Sequence, residues 1–381
     1  MKIDLFEAGK GGFTLYRIPG IVVTSRGTVL TFCEARRDSG SDWDYTQILM
    51  CRSTDSGRSF SPPRSIAKAD GPIAPNPLAR RKGAKPDTVT YHNAAAIAAR
   101  DGTVHLLFCV EYMRCFYQRS TDDGETFSQP VETTSTFDRF RPEYDWKVLA
   151  TGPGHGIELR SGRLVVPVWL STGTGGNAHR PSVAATIYSD DGGQSWQRGA
   201  IVIPCTDEFV NPSEATVLEL ADGRVMFNGR TESPPNRRVV AYSPNGASDW
   251  TEPEFHDALL DPVCMASMAR LSLSPPADNN RILFSNPYNL ERADAKVAPG
   301  KSRDRKNLSL QMSYDEGATW PVRKTLEPGF SAYSDLAVLP DGTILCFYER
   351  GKADGKSTRP TSYHYLTLAR IDPAWLNDGK D

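Results

Sequence analysis

The chain has 381 residues, with 44 lysines and arginines against 46 aspartates and glutamates and a formal net charge of −2. This balance excludes the global positive field that attracts nucleic acid or an acidic membrane surface, so we expect neither partner, and any anion site must be local. No apolar run approaches the roughly 20 residues that span a bilayer, and the first residues lack a signal-peptide pattern; we expect a soluble protein, either cytoplasmic or exported with a presequence absent from this chain.

Size and composition favour one large architecture of short strands. A chain of this length exceeds a usual single core, so it holds either several ordinary domains or one repetitive fold. Its 31 glycines and 28 prolines imply many turns, and 39% hydrophobic residues supply an ample core. The seven cysteines form no CxxC pair and lie mostly in apolar segments, which predicts buried free thiols rather than disulfides or a metal site.

Strand-like segments recur along the whole chain, and helical periodicity is nearly absent. Each segment is rich in Val, Ile, Leu, Phe and Thr and is bounded by Asp-Gly, Ser-Gly or Arg-Gly turns, a pattern typical of hairpins. In chain order, the segments are residues 20–35, 103–112, 162–171, 216–230, 236–243, 281–287 and 336–350. The sequence therefore predicts an all-β protein.

A short motif, Ser-x-Asp-x-Gly-x-(Ser/Thr)-(Phe/Trp), occurs four times. Its copies begin at Ser53, Ser120, Ser189 and Ser313, and a degenerate copy begins at Ser243. The Ser and Asp side chains can bond the turn backbone, Gly supplies a positive φ, and the aromatic residue packs beneath the turn. We expect these turns to be structural and to carry no chemistry.

The spacing of the copies predicts the architecture. The first three begin 67 and 69 residues apart, and the fourth follows after 124 residues, about two units. Units of about 64 residues predict one six-bladed β-propeller of four-stranded antiparallel blades over residues 1–381. Irregular stretches at 67–88, 135–144, 171–180 and 286–306 are expected as loops around one rim, where function would lie.

The repeated turns resemble the Asp boxes of the sialidase (neuraminidase) superfamily, and specifically of bacterial-type exo-α-sialidases. The resemblance continues in chain order across nearly the whole chain. Segments similar to family landmarks are residues 16–19, 34–36, 152–155, 214–220, 228–230, 305–308, 332–336 and 347–349. The ordered set is much more specific than any one motif.

The resemblance implies a clamp of three arginines for the carboxylate of sialic acid. Arg17, Arg230 and Arg305 match the three family motifs, and converging guanidiniums hold one anion with a bidentate geometry that lysine lacks. Arg17 and Arg230 lie beside apolar residues, where an unpaired charge is costly. Arg303 and Lys306 lie close to Arg305 in the same charge-rich loop.

The resemblance also implies a tyrosine nucleophile, Tyr333, and a glutamate, Glu214, that takes its proton. A neutral phenol avoids the repulsion between a carboxylate nucleophile and the substrate carboxylate, but a phenol pKa of about 10 requires a base beside it. Glu219 is the alternative base. Its odd spacing from Glu214 places the two side chains on opposite faces of a strand, and the distance to the Asn-Gly-Arg motif favours Glu214.

Three further roles follow from the resemblance. Asp42 matches the acid that protonates the leaving group, with Asp44 and Asp38 as alternatives in the same loop. Arg36 matches an arginine that reaches the C4 side of the sugar. Glu349 matches the glutamate that orients the first clamp arginine. For Arg36 and Glu349, the alternative is an ordinary surface ion pair.

We expect no cofactor and no metal. The six histidines provide no second ligand at metal spacing, so His155 and His92 are interpreted as structural or substrate-lining. Residues 92–96 are His-Asn-Ala-Ala-Ala, whereas many sialidases have Asn-Pro near the pocket for the N-acetyl group. This departure leaves the C5 substituent open between N-acetyl, N-glycolyl and the deaminated sugar.

The implied function is that of a retaining exo-α-sialidase, which hydrolyses terminal sialic acid, or a related nonulosonic acid, from a sialylated glycan through a covalent sialyl-tyrosine intermediate. The alternatives are a glycosidase for another acidic sugar, a transglycosidase, and a glycan-binding propeller without activity, because Asp boxes also occur in inactive proteins. The presence of every expected residue type argues against the binding protein. Linkage preference and oligomeric state stay open.

Overall fold

A computed structural model describes residues 1–78, 89–298, 300–352 and 361–377. Residues 79–88 of one predicted rim loop, and residue 299 of another, lie outside the described residues. In chain order, the elements are β1 (Lys2–Glu7), β2 (Leu15–Val23), β3 (Val29–Arg36), β4 (Thr46–Ser53), β5 (Arg64–Ser65), β6 (Tyr91–Ala98), β7 (Val104–Val110), β8 (Arg114–Ser120), β9 (Val131–Glu132), α1 (Thr134–Asp138), β10 (Val148–Thr151), β11 (Gly154–His155), β12 (Ile157–Glu158), β13 (Leu164–Ser171), β14 (Ser182–Ser189), β15 (Gln197–Ile203), β16 (Ala215–Glu219), β17 (Val225–Gly229), β18 (Arg237–Ser243), β19 (Glu254–Leu260), β20 (Ser267–Ser272), β21 (Arg281–Pro287), β22 (Lys306–Ser313), β23 (Val322–Val338), β24 (Ile344–Arg350), β25 (Tyr365–Ile371) and α2 (Ala374–Asn377).

The strands form a propeller-like arrangement of antiparallel sheets. The sheet orders are β2-β3-β4-β5, then β6-β7-β8-β9 with β11 beside β6, then β10-β13-β14-β15 with β12 beside β13, and then β16-β17-β18-β19. The last sheet has the order β20-β21-β22-β23-β24-β25-β1. Apolar side chains fill the space between neighbouring sheets; Ile21 and Val29, for example, share a cluster with Leu345 and Leu366. The all-β class and the four-stranded antiparallel pattern are confirmed.

The prediction of six blades is wrong in its count, because the described residues form five hydrogen-bonded sheets. The difference arises at β23, which is 17 residues long. Its first half pairs with β22 and its second half with β24, so two four-stranded sections share one strand. Pro328 and Gly329 have the composition of a turn, but Gly329 takes a φ of 83° within the continuing strand.

The repeated motif forms the same turn at each of its four well-preserved copies. In the first copy, Ser53 Oγ donates to Asp55 Oδ1 (2.7 Å), Gly57 N donates to Ser53 Oγ (2.9 Å), and Ser59 N donates to Asp55 Oδ1 (2.9 Å). Gly57 has a φ of 75°, which glycine adopts without strain. The Ser-Asp and Gly-Ser bonds recur at Ser120, Ser189 and Ser313. The motif therefore stabilises hairpin ends.

Three strands, β2, β6 and β23, are irregular at positions that matter for the site. The pairing register shifts within residues 17–20 of β2, 92–95 of β6 and 331–334 of β23. Ile18 (φ 60°) and Asn93 (φ 52°) adopt the left-handed region, which costs free energy in a non-glycine residue. Such bulges turn side chains away from the regular alternation of a strand.

One buried carboxylate, that of Asp335 in β23, joins segments of four strands. Its Oδ2 accepts a hydrogen bond from Ile21 N of β2 (2.9 Å), and its Oδ1 accepts one from Ser267 Oγ of β20 (2.7 Å). The same Oδ1 lies 2.7 Å from Nδ1 of His155 in β11. Burial acts to lower the pKa of His155, but Asp335 outweighs it, so the pKa of this imidazole lies above its usual value.

We expect His155→Gln to reduce the free energy of unfolding by about 1–3 kcal/mol at acidic pH. Because the folded-state pKa of His155 is raised, the stabilisation by the ion pair is complete below the unfolded pKa, about 6.5, and is lost as pH rises through the folded pKa. Urea unfolding at about pH 5.5 and pH 9 measures the difference. His256→Gln is the control, since that ring bonds the carbonyl oxygen of Gly317. A wild-type advantage that grows with pH would contradict the prediction.

Candidate active site

A cavity of about 210 Å³ is lined in part by residues from the irregular segments of β2, β6 and β23. β2 supplies Arg17 and β23 supplies Tyr333, both from irregular segments. Glu214, Arg230 and Arg305 each adjoin a strand end, and Asp42 lies in the loop between β3 and β4. The cavity lining includes Arg17, Asp42, Asn93, Glu214, Arg230, Arg305 and Tyr333. Residues that are far apart in the sequence thus form one polar site.

Three guanidinium groups surround the side chain of Tyr333. The Cζ atoms of Arg17 and Arg305 lie 5.0 Å and 5.1 Å from the centroid of the Tyr333 ring. Arg230 Nη1 donates a hydrogen bond of 2.8 Å to the phenol oxygen. The three positive charges are therefore close enough to bind one small anion together.

Arg17 and Arg305 are each held in place by hydrogen-bond partners. Glu349 accepts from Nε (2.8 Å) and Nη2 (3.3 Å) of Arg17, and this outweighs burial to raise the pKa of Arg17. Arg305 Nη2 donates to the carbonyl oxygen of Val263 (2.7 Å), and Arg305 Nη1 donates to Tyr363 Oη (3.1 Å). The ring of Tyr363 also lies 4.1 Å from Cζ of Arg17, so one phenol contacts two of the arginines.

Glu349 positions the backbone as well as a side chain. It is fully buried in β24. Beside its pair with Arg17, its Oε1 accepts from Ile18 N (3.0 Å) and its Oε2 accepts from Tyr333 N (3.0 Å). The carboxylate thus stabilises the left-handed turn at Ile18 and fixes Arg17 relative to Tyr333.

The phenol of Tyr333 is bonded to a carboxylate. Tyr333 Oη donates to Glu214, with Oη lying 2.6 Å and 2.7 Å from the two carboxylate oxygens, and Arg230 Nη1 also bonds Glu214. Burial raises the pKa of Tyr333 well above its usual value, and the negative charge of Glu214 raises it further. The phenol is therefore neutral at ordinary pH, and its proton already points at an acceptor.

Asp42 lies on another part of the cavity wall, with its side chain 43% exposed. Arg36 Nη1 donates to its Oδ1 (2.6 Å), and Arg36 Nη2 donates to the buried Glu34 (2.6 Å). Partial burial acts to raise the pKa of Asp42, but the Arg36 guanidinium outweighs it and holds this pKa well below the usual range. Asp42 is consequently ionised in this arrangement.

An aromatic wall faces the cavity beside Asp42. The imidazole of His179 lies 5.0 Å from the ring of Tyr112 and 5.3 Å from that of Trp169. The indole of Trp43 packs at 5.0 Å against Tyr112. Burial lowers the pKa of His179, which favours a neutral imidazole. The wall is suited to the apolar face of a bound molecule.

Comparison with known proteins identifies the family. A family profile described as "BNR repeat-like domain" matches residues 74–346. The chain belongs to this family, within the sialidase superfamily. The sialidase of Micromonospora viridifaciens is 31% identical over 98% of this chain and 54% of its own length. The sialidase of Bacteroides fragilis (strain YCH46) is 28% identical over 93% of this chain and 63% of its own length.

The fold of this superfamily member agrees with that of a solved structure. The Hadza microbial sialidase Hz136 superposes with a TM-score of 0.77 over 99% of this chain and 69% of that one, at 24% sequence identity. The chain spans between one half and two thirds of the length of the two curated relatives above.

Six of the eight predicted site residues of this sialidase-superfamily member line the cavity. They are Arg17, Asp42, Glu214, Arg230, Arg305 and Tyr333. The other two lie behind the cavity wall. Glu349 contacts Arg17. Arg36, predicted to reach the sugar, is instead buried between Glu34 and Asp42 and is absent from the described cavity lining.

The alternative carboxylates lie elsewhere. Asp44 is buried within its own loop, where it accepts hydrogen bonds from Ser39 Oγ (2.7 Å) and other groups of that loop. The side chain of Asp38 is 43% exposed. Glu219 accepts from the backbone N of Arg160 (2.9 Å), away from the cavity. Asp42 and Glu214 are the members of these sets that line the site.

The alternative cations near Arg305 also have other partners. Arg303 Nη2 donates to Asn236 Oδ1 (2.8 Å), and its Nη1 bonds backbone carbonyl oxygens. Lys306 lies 3.0 Å from Asp304. Of the three, Arg305 lines the cavity.

Sequence reasoning missed the aromatic contributors Tyr112, Trp169 and Tyr363. One indication was available, because the predicted rim loop at 171–180 carries His179 and Arg180, which line the cavity.

The predicted loop at 135–144 packs into the core instead. It begins in α1 and inserts Phe137 into the core, so it fills space between sheets.

Other features of the described residues bear on the chemistry. No group of three or more His, Cys, Asp or Glu side chains is arranged to hold a metal ion within the described ranges. All seven cysteines are free, and six of them are buried. Neither helix in the described part of the chain has the length and apolar character needed to cross a bilayer.

Proposed function

We propose that this chain is a retaining exo-α-sialidase domain, comprising residues 1–381, and that its substrate is a terminal sialic acid, or a related nonulosonic acid, on a glycan. One observation carries the proposal. Three guanidiniums surround a neutral phenol that donates to a carboxylate. The cationic group suits a sugar with a carboxylate on its anomeric carbon, and the phenol suits attack on that carbon. The names of the two relatives agree with this activity.

In the first step, the oxygen of Tyr333 attacks the anomeric carbon and passes its proton to Glu214. Protonated Asp42 gives its proton to the glycosidic oxygen as the bond to the aglycone breaks. The product is a covalent sialyl-tyrosine. Arg17, Arg230 and Arg305 hold the sugar carboxylate throughout.

In the second step, the Asp42 carboxylate removes a proton from water, and the water oxygen attacks the anomeric carbon. The Tyr333 oxygen leaves and recovers its proton from Glu214. Two displacements at one carbon give overall retention. Asp42, Glu214 and Tyr333 return to their starting protonation states.

The ion pair with Arg36 sets a condition on the first step. Ionised Asp42 suits the second step, in which it acts as a base. For the first step Asp42 must carry a proton, and Arg36 opposes proton uptake. We expect kcat/KM to fall as pH rises above the pKa of Asp42 in the free enzyme.

Removing the Arg36 charge should therefore move the pH profile. We expect the double variant Glu34→Gln/Arg36→Met, which leaves no unpaired buried charge, to shift the alkaline fall of kcat/KM upward by about one pH unit or more. Initial rates on a fluorogenic sialoside across pH measure the shift. The Glu34→Gln single variant retains Arg36 and should not shift the alkaline fall of kcat/KM upward. If the alkaline fall of kcat/KM in the double variant stayed at the same pH or moved to lower pH, this role for Arg36 would be refuted.

A panel of 2-keto acid glycosides that differ at C5 tests the proposed function. Release of sugar, followed by NMR of the first-formed product, should show retention for at least one of the N-acetyl, N-glycolyl and deaminated substrates. The preferred member identifies the C5 substituent. Inversion would exclude the covalent mechanism, and binding without turnover would favour a glycan-binding protein.

A further inference from the structure

We infer that Asp261 is a positioning residue that fixes two of the three clamp arginines, Arg230 and Arg305, relative to each other. This inference rests on the proposed function, because it assigns the two arginines to a common ligand. Asp261 is fully buried, follows β19 directly and is absent from the described cavity lining. It therefore acts through its neighbours.

Both oxygens of Asp261 accept hydrogen bonds from backbone amides, on two different segments. Oδ1 accepts from Val263 N (2.8 Å) and Cys264 N (3.2 Å), in its own loop. Oδ2 accepts from Thr231 N (2.9 Å), in the segment that follows β17. One rigid planar group thus joins the loop 261–264 to the residue after Arg230.

On the loop side, Asp261 stabilises a strained turn. Val263 has a φ of 62°, which is unfavourable for a β-branched residue. This conformation directs the Val263 carbonyl oxygen to Arg305 Nη2 at 2.7 Å. The two amide hydrogen bonds to Asp261 offset the strain, so the position of Arg305 depends on this carboxylate.

On the other side, Asp261 fixes the residue adjacent to Arg230. The amide of Thr231 bonds Asp261, and the amide of Arg230 bonds the carbonyl oxygen of Glu214. The backbone on both sides of the Arg230 side chain is therefore restrained. Since Arg230 bonds both Glu214 and the Tyr333 phenol, a displacement here would also disturb the nucleophile.

A buried arginine compensates the charge of Asp261. Arg238 is fully buried, and its Nη1 lies 3.6 Å from Asp261 Oδ2. Arg238 also donates to Asn228 Oδ1 (2.7 Å) and to the carbonyl oxygen of Cys264 (3.2 Å). These bonds tie β17, β18 and the loop into one unit behind the clamp.

The experiment replaces Asp261 with Asn. An amide has one acceptor oxygen, so it can serve the loop 261–264 or Thr231 but not both. We expect kcat/KM on a fluorogenic sialoside to fall roughly tenfold or more, mainly through KM. A 2,3-didehydro sialic acid inhibitor should lose affinity by a similar factor. Its methyl ester, which lacks the negative charge, should lose much less.

Asp123→Asn is the matched control. Asp123 is also buried, accepts from Thr24 Oγ1 (2.6 Å) and Arg52 Nη2 (3.0 Å), and is absent from the described cavity lining. We expect it to lower the urea midpoint without changing KM or the preference for the acid over its ester. If Asp261→Asn does not fold, Asp261→Glu keeps the charge beside Arg238, displaces the acceptor oxygens and should raise KM in the same direction.

The outcomes separate the inference from the proposed function. Wild-type turnover with an Asp261→Asn variant that loses only stability, as the Asp123→Asn control does, would overturn the positioning role and leave the sialidase proposal intact. Failure of the wild-type protein to bind or hydrolyse any carboxylate-bearing sialoside would overturn the sialidase proposal and this inference with it. Equal losses for acid and ester would assign Asp261 a purely structural role.

Discussion

Tyr333→Phe should reduce kcat about a thousandfold or more while leaving the protein able to bind a sialic acid analogue. The substitution removes the attacking oxygen and its bond to Glu214 but keeps the ring beside Arg17 and Arg305. Loss of an essential nucleophile has effects of this size or larger in other hydrolases. Initial rates on a fluorogenic sialoside and calorimetric titration of the didehydro analogue measure the two effects.

Tyr348→Phe provides the control for Tyr333→Phe. Tyr348 is fully buried in β24, and its hydroxyl donates to Glu327 (2.7 Å). Removal of this hydroxyl should lower stability and leave kcat within about twofold of wild type. A Tyr333→Phe variant that keeps more than about a tenth of wild-type kcat would show that another group makes the covalent bond, or that none is made.

Arg305→Lys should weaken binding of the substrate carboxylate by about tenfold to a hundredfold. The guanidinium now donates to the Val263 carbonyl oxygen and to Tyr363 Oη, and a lysine ammonium lacks the planar fork that makes such bonds and bidentate ones to a carboxylate together. The loss of one charge-assisted pair corresponds to about 1.5–3 kcal/mol. KM and the dissociation constants of the didehydro acid and its methyl ester measure the effect.

The neighbouring Arg303 supplies the control for this second substitution. It carries the same charge two residues away, but it bonds Asn236 and backbone carbonyl oxygens rather than the cavity. Arg303→Lys should leave the preference for acid over ester unchanged. If Arg303→Lys and Arg305→Lys weakened acid binding equally, the effect would not depend on the contacts that Arg305 makes at the cavity, and the clamp assignment would be wrong.

The parts of the site that sequence could predict are those with a local pattern. Arg17 and Tyr333 lie in short motifs that resemble those of the sialidase superfamily, and the order of the motifs along the chain makes this resemblance specific. Tyr363 contacts Arg17 across about 350 residues of chain, and no spacing rule connects them. Arg36 lies six residues before Asp42 in the sequence, but only the folded loop decides whether the Arg36 side chain faces Asp42 or solvent.

The fold shows the same division between local and distant information. The turn motif and the alternation of apolar segments predict the strands, because hairpins are set by neighbouring residues. The predicted segment 281–287 coincides with β21. The continuity of β23 through Pro328 and Gly329 depends on pairing within two four-stranded sections, each of which includes half of the strand. Propensity at these two residues favours a turn, and tertiary pairing overrides it.

The pairing of β1 with β25 has a consequence for biosynthesis. β1 completes the sheet that contains β24 and β25, which are made after it, and the ion pair of Arg17 with Glu349 joins β2 to β24 of that sheet. Until β24 has emerged from the ribosome, the guanidinium of Arg17 therefore lacks the Glu349 carboxylate that orients it. The nascent protein should be unable to bind an acidic sugar until β24 and β25 have left the ribosomal exit tunnel. Translation therefore delays the onset of sugar binding.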